Sequence, residues 1–128
     1  MNPYRIGLFD LAERRLAWTD QRQAVLARNI ANASMPAFQA KDLPDFAKTL
    51  ARTSVAEPIR TQPNHLAGTE GTGIRPVTLR AKARSPDGNT VAMDEQLTRV
   101  ADTETAQSVV TSIYRKYMRL FGMALGKA

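Results

Sequence analysis

The sequence predicts a mainly α protein in which long N- and C-terminal helices pair as an antiparallel coiled coil, with an irregular Pro/Gly-rich middle carrying at most a short β-hairpin. Three observations predict it. Six of the seven prolines in this 128-residue chain lie between Pro36 and Pro86, and proline breaks helix interiors, so only the two ends can be long helices. Both ends carry residues at alternating spacings of three and four, mostly apolar, the rhythm of a coiled-coil seam. Acidic residues gather at the start of the C-terminal segment and basic ones toward its end, which suits the helix macrodipole. The chain therefore divides into an N-terminal coiled-coil helix (1–36), an irregular middle (37–88) and a C-terminal coiled-coil helix (89–128), together one domain.

In the N-terminal segment the seam runs through Phe9, Ala12, Leu16, Thr19, Gln23, Leu26, Ile30 and Ala33, which places a helix from about Pro3 to Ala33. Leu8, Leu11, Trp18 and Val25 form a second stripe about 100° round it. Asn32 suits a left-handed helix end, with Pro36 a few residues beyond. In the middle, Asp42–Arg52 reads as a short helix with Asp42 in a solvated first turn. Val77–Arg80, extended by Ala81–Arg84, reads as a strand entering the Asp87-Gly88 turn.

The C-terminal segment, helical from about 91 to 124 with Asn89 or Thr90 as its cap, keeps its rhythm through Ala106, Val110, Ile113, Tyr117, Leu120 and Ala124. Tyr114, Met118, Phe121 and Leu125 adjoin it, while Met93, Leu97 and Val100 fall in a different phase, which predicts a local shift around 102–108. Each helix thus carries two apolar stripes, and one antiparallel partner covers about one. Leaving the other in water forfeits roughly 1.5–3 kcal/mol per large side chain. The pattern therefore predicts an assembly; the alternative is a three-helix bundle with the short middle helix as third wall.

Catalytic chemistry finds little support. The chain has no cysteine and one histidine, His65, which excludes thiolate nucleophiles and multi-histidine metal sites. Gly68, Gly71 and Gly73 have the wrong spacing for a dinucleotide loop. The net charge of +6 is spread along the chain, concentrated only at Arg80, Lys82 and Arg84, without the basic-aromatic interleaving of a nucleic-acid surface. No apolar stretch is long enough to span a membrane, and charged residues from Asp10 to Arg15 interrupt any cleavable secretion signal. We expect no enzyme activity, cofactor or metal, no nucleic-acid partner and no direct membrane insertion.

One passage is distinctive. Asn29-Ile-Ala-Asn32-Ala33, followed by Pro36, resembles the N-terminal signature of bacterial flagellar rod and hook proteins, a helix ending in Asn-x-Ala-Asn-Ala and then Thr-Pro-Gly-Tyr. Met35, Ala37 and Phe38 replace its Thr, Gly and Tyr. Lys41-Asp-Leu-x-x-Phe46, Asn64-His-Leu66 and Asp87-Gly-Asn-Thr-Val91-x-Met93-Asp94 are similar to the FlgB family of proximal rod proteins; Ala92 stands where that family usually has an acid. The sister FlgC type of rod subunit and a stand-alone helical adaptor or scaffold are the alternatives.

The resemblance implies a structural subunit of the flagellar basal body, in the periplasmic rod, exported without a cleaved signal peptide through the flagellar type III apparatus. It implies assembly with itself, with other rod proteins and with the rod-to-ring adaptor. The product is a helical tube that transmits torque and passes later subunits. The residues expected at the assembly interface are Phe9, Leu16, Leu26, Asn29, Ile30, Asn32, Val110, Ile113, Tyr117, Leu120 and Phe121.

Overall fold

The computed structural model describes residues 7–53 and 74–126. The elements in chain order are α1 (Gly7–Ala31), β1 (Lys41–Asp42), α2 (Phe46–Thr53), β2 (Val77–Thr78) and α3 (Met93–Ala124). The expected helix start near Pro3 and the segment holding His65 and Gly68–Gly73 lie outside the described residues.

Helices α1 and α3 form the expected antiparallel pair. Their contacts run in opposite directions along the two sequences: Phe9 meets Tyr114 edge-on at 5.1 Å and Phe121 at 5.8 Å, while Asn29 reaches Gln96. The α1 face is the one the rhythm selects, since Phe9, Thr19 and Leu26 are buried and Ala12, Leu16, Gln23 and Ile30 half-buried. On α3 the face differs from expectation. Gln96, Thr103, Val110, Tyr114 and Phe121 turn toward α1, whereas Ile113, Tyr117 and Leu120 are exposed. No break in the helix accompanies the shift predicted around 102–108. The backbone phase is constant; what changes is the chemistry of the seam. Toward the α1 C-terminus it is polar: Asn29 bonds Gln96, and Gln23 bonds Gln107 at 3.2 Å. An apolar rhythm cannot register such a seam.

The middle segment folds back along the helix pair. Trp18 and Val25, the second stripe of α1, pack with Leu43, Phe46 and Ile74. The Trp18 indole N–H donates to the Pro44 carbonyl at 3.0 Å, and the Arg15 guanidinium lies 4.6 Å from the Trp18 ring and 4.8 Å from that of Phe46. Phe46 thus anchors α2, whose eight residues are too few to form the wall of a three-helix bundle. β1 and β2 pair antiparallel, Lys41 with Thr78 and Asp42 with Val77. The β element is thus as small as expected, but the strand expected to run on through Arg84 into the Asp87-Gly88 turn stops at Thr78 and pairs over a long range with β1, because each strand finds a partner only once both ends of the middle segment lie on the helices. Asp42, expected in a solvated helix turn, is instead in β1 and buried.

Two helix ends also depart from expectation. α1 stops at Ala31, and Asn32 has no positive φ; its side-chain amide donates back to the Arg28 carbonyl at 2.7 Å. The left-handed position is Ala37, at φ 58°, where the flagellar signature carries glycine. α3 starts at Met93 after Ala92, without a side-chain cap. Asn89 and Thr90 are engaged elsewhere.

Candidate assembly surface

The two sequence signatures meet in space. At the end of α1, Asn29 is buried; its Nδ2 donates to the Lys41 carbonyl at 2.6 Å and to Gln96 Oε1 at 2.8 Å, while its Oδ1 accepts from the Lys41 amide at 3.0 Å. One side chain therefore ties α1 to β1 and α3. From the other signature, Asn89 Nδ2 lies within 3.1 Å of the carbonyls of Asn32 and Ala33 and 2.7 Å from that of Met35. These are among the carbonyls that a helix end and its exit turn leave without intrahelical partners. Asn89 Oδ1 accepts the Val91 amide at 2.7 Å, which holds the entry to α3. Gly88, at φ 83°, makes the turn that delivers Asn89, and a Cβ on it would meet the Ala37 backbone at 3.5 Å. Thr90 completes the join: its amide donates to Phe38, and its Oγ1 accepts from Ala40 at 3.1 Å.

Beside this knot, the Asp42 carboxylate is clamped between both long helices. Arg22 of α1 binds it through two bonds at 2.9 and 2.8 Å, and Arg99 of α3 reaches it at 2.6 Å. Arg99 also binds Glu95 at 2.9 Å, and Lys82 closes on Glu95 at 3.2 Å. Burial pushes the Asp42 carboxyl up, but the Arg22 guanidinium, the Leu43 amide and Arg99 outweigh it, so its pKa lies below the usual value. For Glu95, hydrogen bonds from Arg99 and Lys82 outweigh burial, again lowering the pKa.

The clamp also marks a face. Arg22 belongs to the α1 run Leu8, Leu11, Arg15, Trp18, Arg22, Val25, and Arg99 to the α3 run Glu95, Arg99, Asp102, Ala106, Val109, Ile113, Lys116, Leu120. Both runs keep three-four spacing, and both arginines bind one carboxylate, so the runs share one side of the helix pair. The middle segment covers that side near the clamp. Toward the α1 N-terminus it is bare: Leu8 is 38% exposed, Leu11 39%, Ile113 44%, Tyr117 40% and Leu120 46%. An apolar strip across two helices, with exposed Lys116 between Ile113 and Leu120, is the feature of an interaction site.

The expected interface residues thus divide. Ile113, Tyr117 and Leu120 lie on the bare strip; Phe9, Leu16, Leu26, Ile30, Val110 and Phe121 are buried or half-buried in the α1–α3 seam; Asn29 and Asn32 hold the knot. Sequence reasoning missed Asp42, Asn89, Gln96 and Arg99. The available signal was polar residues at seam positions, and the Asp-Gly-Asn turn. A cleft of about 380 Å³ lies between 79–83 and the start of α3. Among the described residues there is no cluster of three or more metal-ligating side chains and no helix long and apolar enough to cross a membrane.

No family model matches the chain. Individual proteins do. It is 31% identical over 125 residues, covering 94% of this chain and 93% of the relative, to the flagellar basal body rod protein FlgB of Agrobacterium fabrum. Identity to FlgB of Proteus mirabilis is 36% over 119 residues, 82% of this chain and 84% of the relative. For FlgB of Escherichia coli it is 40% over 95 residues, 64% and 66% of the two chains.

Proposed function

Because the chain belongs to the FlgB family of flagellar basal body rod proteins, we propose that it is a structural subunit of the proximal rod, built into a helical tube that transmits torque and passes later subunits. The bare apolar strip of Leu8, Leu11, Ile113, Tyr117 and Leu120 carries this reading. With about two-fifths of each residue exposed, the five forfeit under half of the roughly 1.5–3 kcal/mol apiece that full burial supplies, a deficit that neighbouring subunits remove. The strip residues touch neighbours directly. Phe9, Leu16, Leu26, Ile30, Val110 and Phe121 set the shape of the helix pair, and Asn29 and Asn32 act through the knot. Other rod proteins, the rod-to-ring adaptor and further copies of the chain are the partners, in the periplasm, after unfolded export through the flagellar type III apparatus without a cleaved signal. The three segments 1–36, 37–88 and 89–128 work as one unit.

The test is to delete the gene, score motility and search isolated basal bodies for rods. Loss of both, restored by the gene on a plasmid, supports the reading. Intact rods in the deletion strain overturn it.

A further inference from the structure

The basic run Arg80, Lys82, Arg84 lies at the far end of the helix pair from the apolar strip, since Lys82 binds Glu95 in the first turn of α3. It continues β2, an edge strand with β1 on one side only. The register fixes which backbone groups this edge offers. Leu79 donates its amide to the Ala40 carbonyl at 2.8 Å, in line with the pairing of Thr78 with Lys41 and Val77 with Asp42. Alternate residues of an antiparallel strand turn amide and carbonyl to opposite sides. Val77 and Leu79 therefore face β1, while Thr78 and Arg80 face outward. From Arg80 to Arg84 no amide bonds a described residue, and the chain, bending once at Lys82, forms no helix. Thr78 and every residue from Arg80 to Arg84 are exposed.

Charge along this edge has one sign. Between Ile74 and Pro86 the sequence holds Arg75, Arg80, Lys82 and Arg84 and no acid. Among the described residues no ion pair engages the three arginines. Of the acids nearby, Glu95 is held by Lys82 and Arg99, and Asp87 accepts the Asn89 amide. Asp94, which lines the adjoining cleft with Arg80, Lys82 and Arg99, offsets only part of the excess. Like charges on an open edge repel a second copy of that edge, and they favour a strand of opposite sign. We propose that this edge docks an extended acidic segment of a different protein, added as a strand beside β2 with carboxylates at alternate positions against the basic run. This chain lacks such a segment: its only acids two residues apart, Asp102 and Glu104, lie inside α3. The surface is separate from the apolar strip, so the contact goes beyond the rod reading and does not rest on it.

The probe is a fluorescein-labelled peptide, Val-Glu-Val-Glu-Val-Glu-Val, titrated with the full chain and followed by anisotropy. Binding should weaken about tenfold in Arg80→Glu with Arg84→Glu and persist in Arg80→Lys with Arg84→Lys. The block peptide Glu-Glu-Glu-Val-Val-Val-Val, of the same composition, should bind about tenfold more weakly. N-methylation of the Glu amides or of the Val amides blocks one edge of the peptide at a time, so one set should abolish binding and the other spare it. These peptide variants test the contact even if a protein variant unfolds. No binding, equal binding of the two sequences, or equal effects of the two methylations overturns strand addition. Tighter binding to a short DNA duplex or to phosphatidylglycerol vesicles overturns the choice of occupant. In isolated basal bodies, p-benzoyl-phenylalanine in place of Ala81 should cross-link to an acid-bearing segment of another protein; an adduct with this chain, or none, overturns the partner. Absence of the chain from basal bodies overturns the rod reading and leaves the peptide contact standing.

Discussion

Replacing Asp42 with asparagine removes the charge that holds the middle segment to both helices while keeping the side chain's size. The carboxylate is 7% exposed and takes three hydrogen bonds from two guanidiniums. Breaking a fully buried pair costs roughly 3–5 kcal/mol, because the partner charge is left without compensation. Here Arg22 and Arg99 retain 19% and 24% exposure, and Arg99 keeps Glu95. The expected cost is therefore lower, about 2–3 kcal/mol, or about 30- to 150-fold in the docking equilibrium. Trp18 reports it directly: it is the single tryptophan, its ring packs on Phe46 and its N–H binds Pro44. Urea titration of Trp18 fluorescence should show an earlier transition in Asp42→Asn and none in Asp45→Asn, whose carboxylate is 80% exposed. The pH dependence has a fixed sign. Asp42 is depressed in the folded chain, so its stabilisation is present above the unfolded value near 3.9 and is lost as pH falls through the folded value. The difference between wild type and Asp42→Asn should therefore shrink below about pH 4. An unchanged urea midpoint for Asp42→Asn at neutral pH would refute the clamp.

Four further outcomes are expected. Ala37→Gly should raise the unfolding free energy by about 0.5–1 kcal/mol, read as a higher urea midpoint, since a left-handed alanine costs roughly 1–2 kcal/mol and glycine returns part of it as unfolded-state entropy; a lower midpoint would contradict the φ of 58°. Asn89→Ala should cost about 1–3 kcal/mol by removing its bonds to the Asn32, Ala33 and Met35 carbonyls and to the Val91 amide, seen as faster amide exchange across 35–40. Ile113→Asp and Leu120→Asp should leave the circular dichroism of the purified chain unchanged and abolish motility; wild-type swimming would show that the strip stays in water. Asn29→Leu should impair rod assembly although the side chain is buried within one copy, a result read by counting rods in basal-body preparations.

How far the fold was legible depended on which residues carried it. Proline placement and three-four spacing located both long helices, because helix interiors reject proline and a buried stripe must recur once per turn. The same rule misassigned the inward face of α3, since Ile113, Tyr117 and Leu120 are more apolar than Gln96, Thr103 and Gln107 and yet point outward. Local signals also failed at Asp42. Its neighbours Phe46 and Leu50 share a helix face, but the residue's partners, Arg22 and Arg99, are 20 and 57 positions away. Asn89 was legible as part of a turn and not as a bond donor to residues 54 to 57 positions earlier. Family resemblance supplied the motifs without their reason, which is that the two signatures bond to each other.

Register explains why a knot so far from the bare strip controls it. An antiparallel apolar seam tolerates sliding by a heptad, because each large side chain finds another of similar size; seven residues correspond to about 10.5 Å. Polar pairs do not tolerate it, since a displaced Gln96 removes one of the two acceptors of the Asn29 amide in a site where both residues are 1% exposed, and unpaired polar groups cost about 1–3 kcal/mol each. A buried asparagine fixing register is the established use of such residues in coiled coils. In this chain the fixed register places Phe9 against Tyr114 and Phe121, and so sets Leu8 and Leu11 beside the Ile113–Leu120 run. A slip of one heptad would carry the two halves of the strip apart by about 10.5 Å while leaving helix content intact. Asn29→Leu should therefore act on assembly through alignment. A Phe9→Cys, Tyr114→Cys pair in the otherwise cysteine-free chain measures that alignment as intramolecular disulfide yield, which should be high with Asn29 present and fall when leucine replaces it. Equal yields would mean that the apolar seam holds the register alone and that Asn29 does not govern assembly.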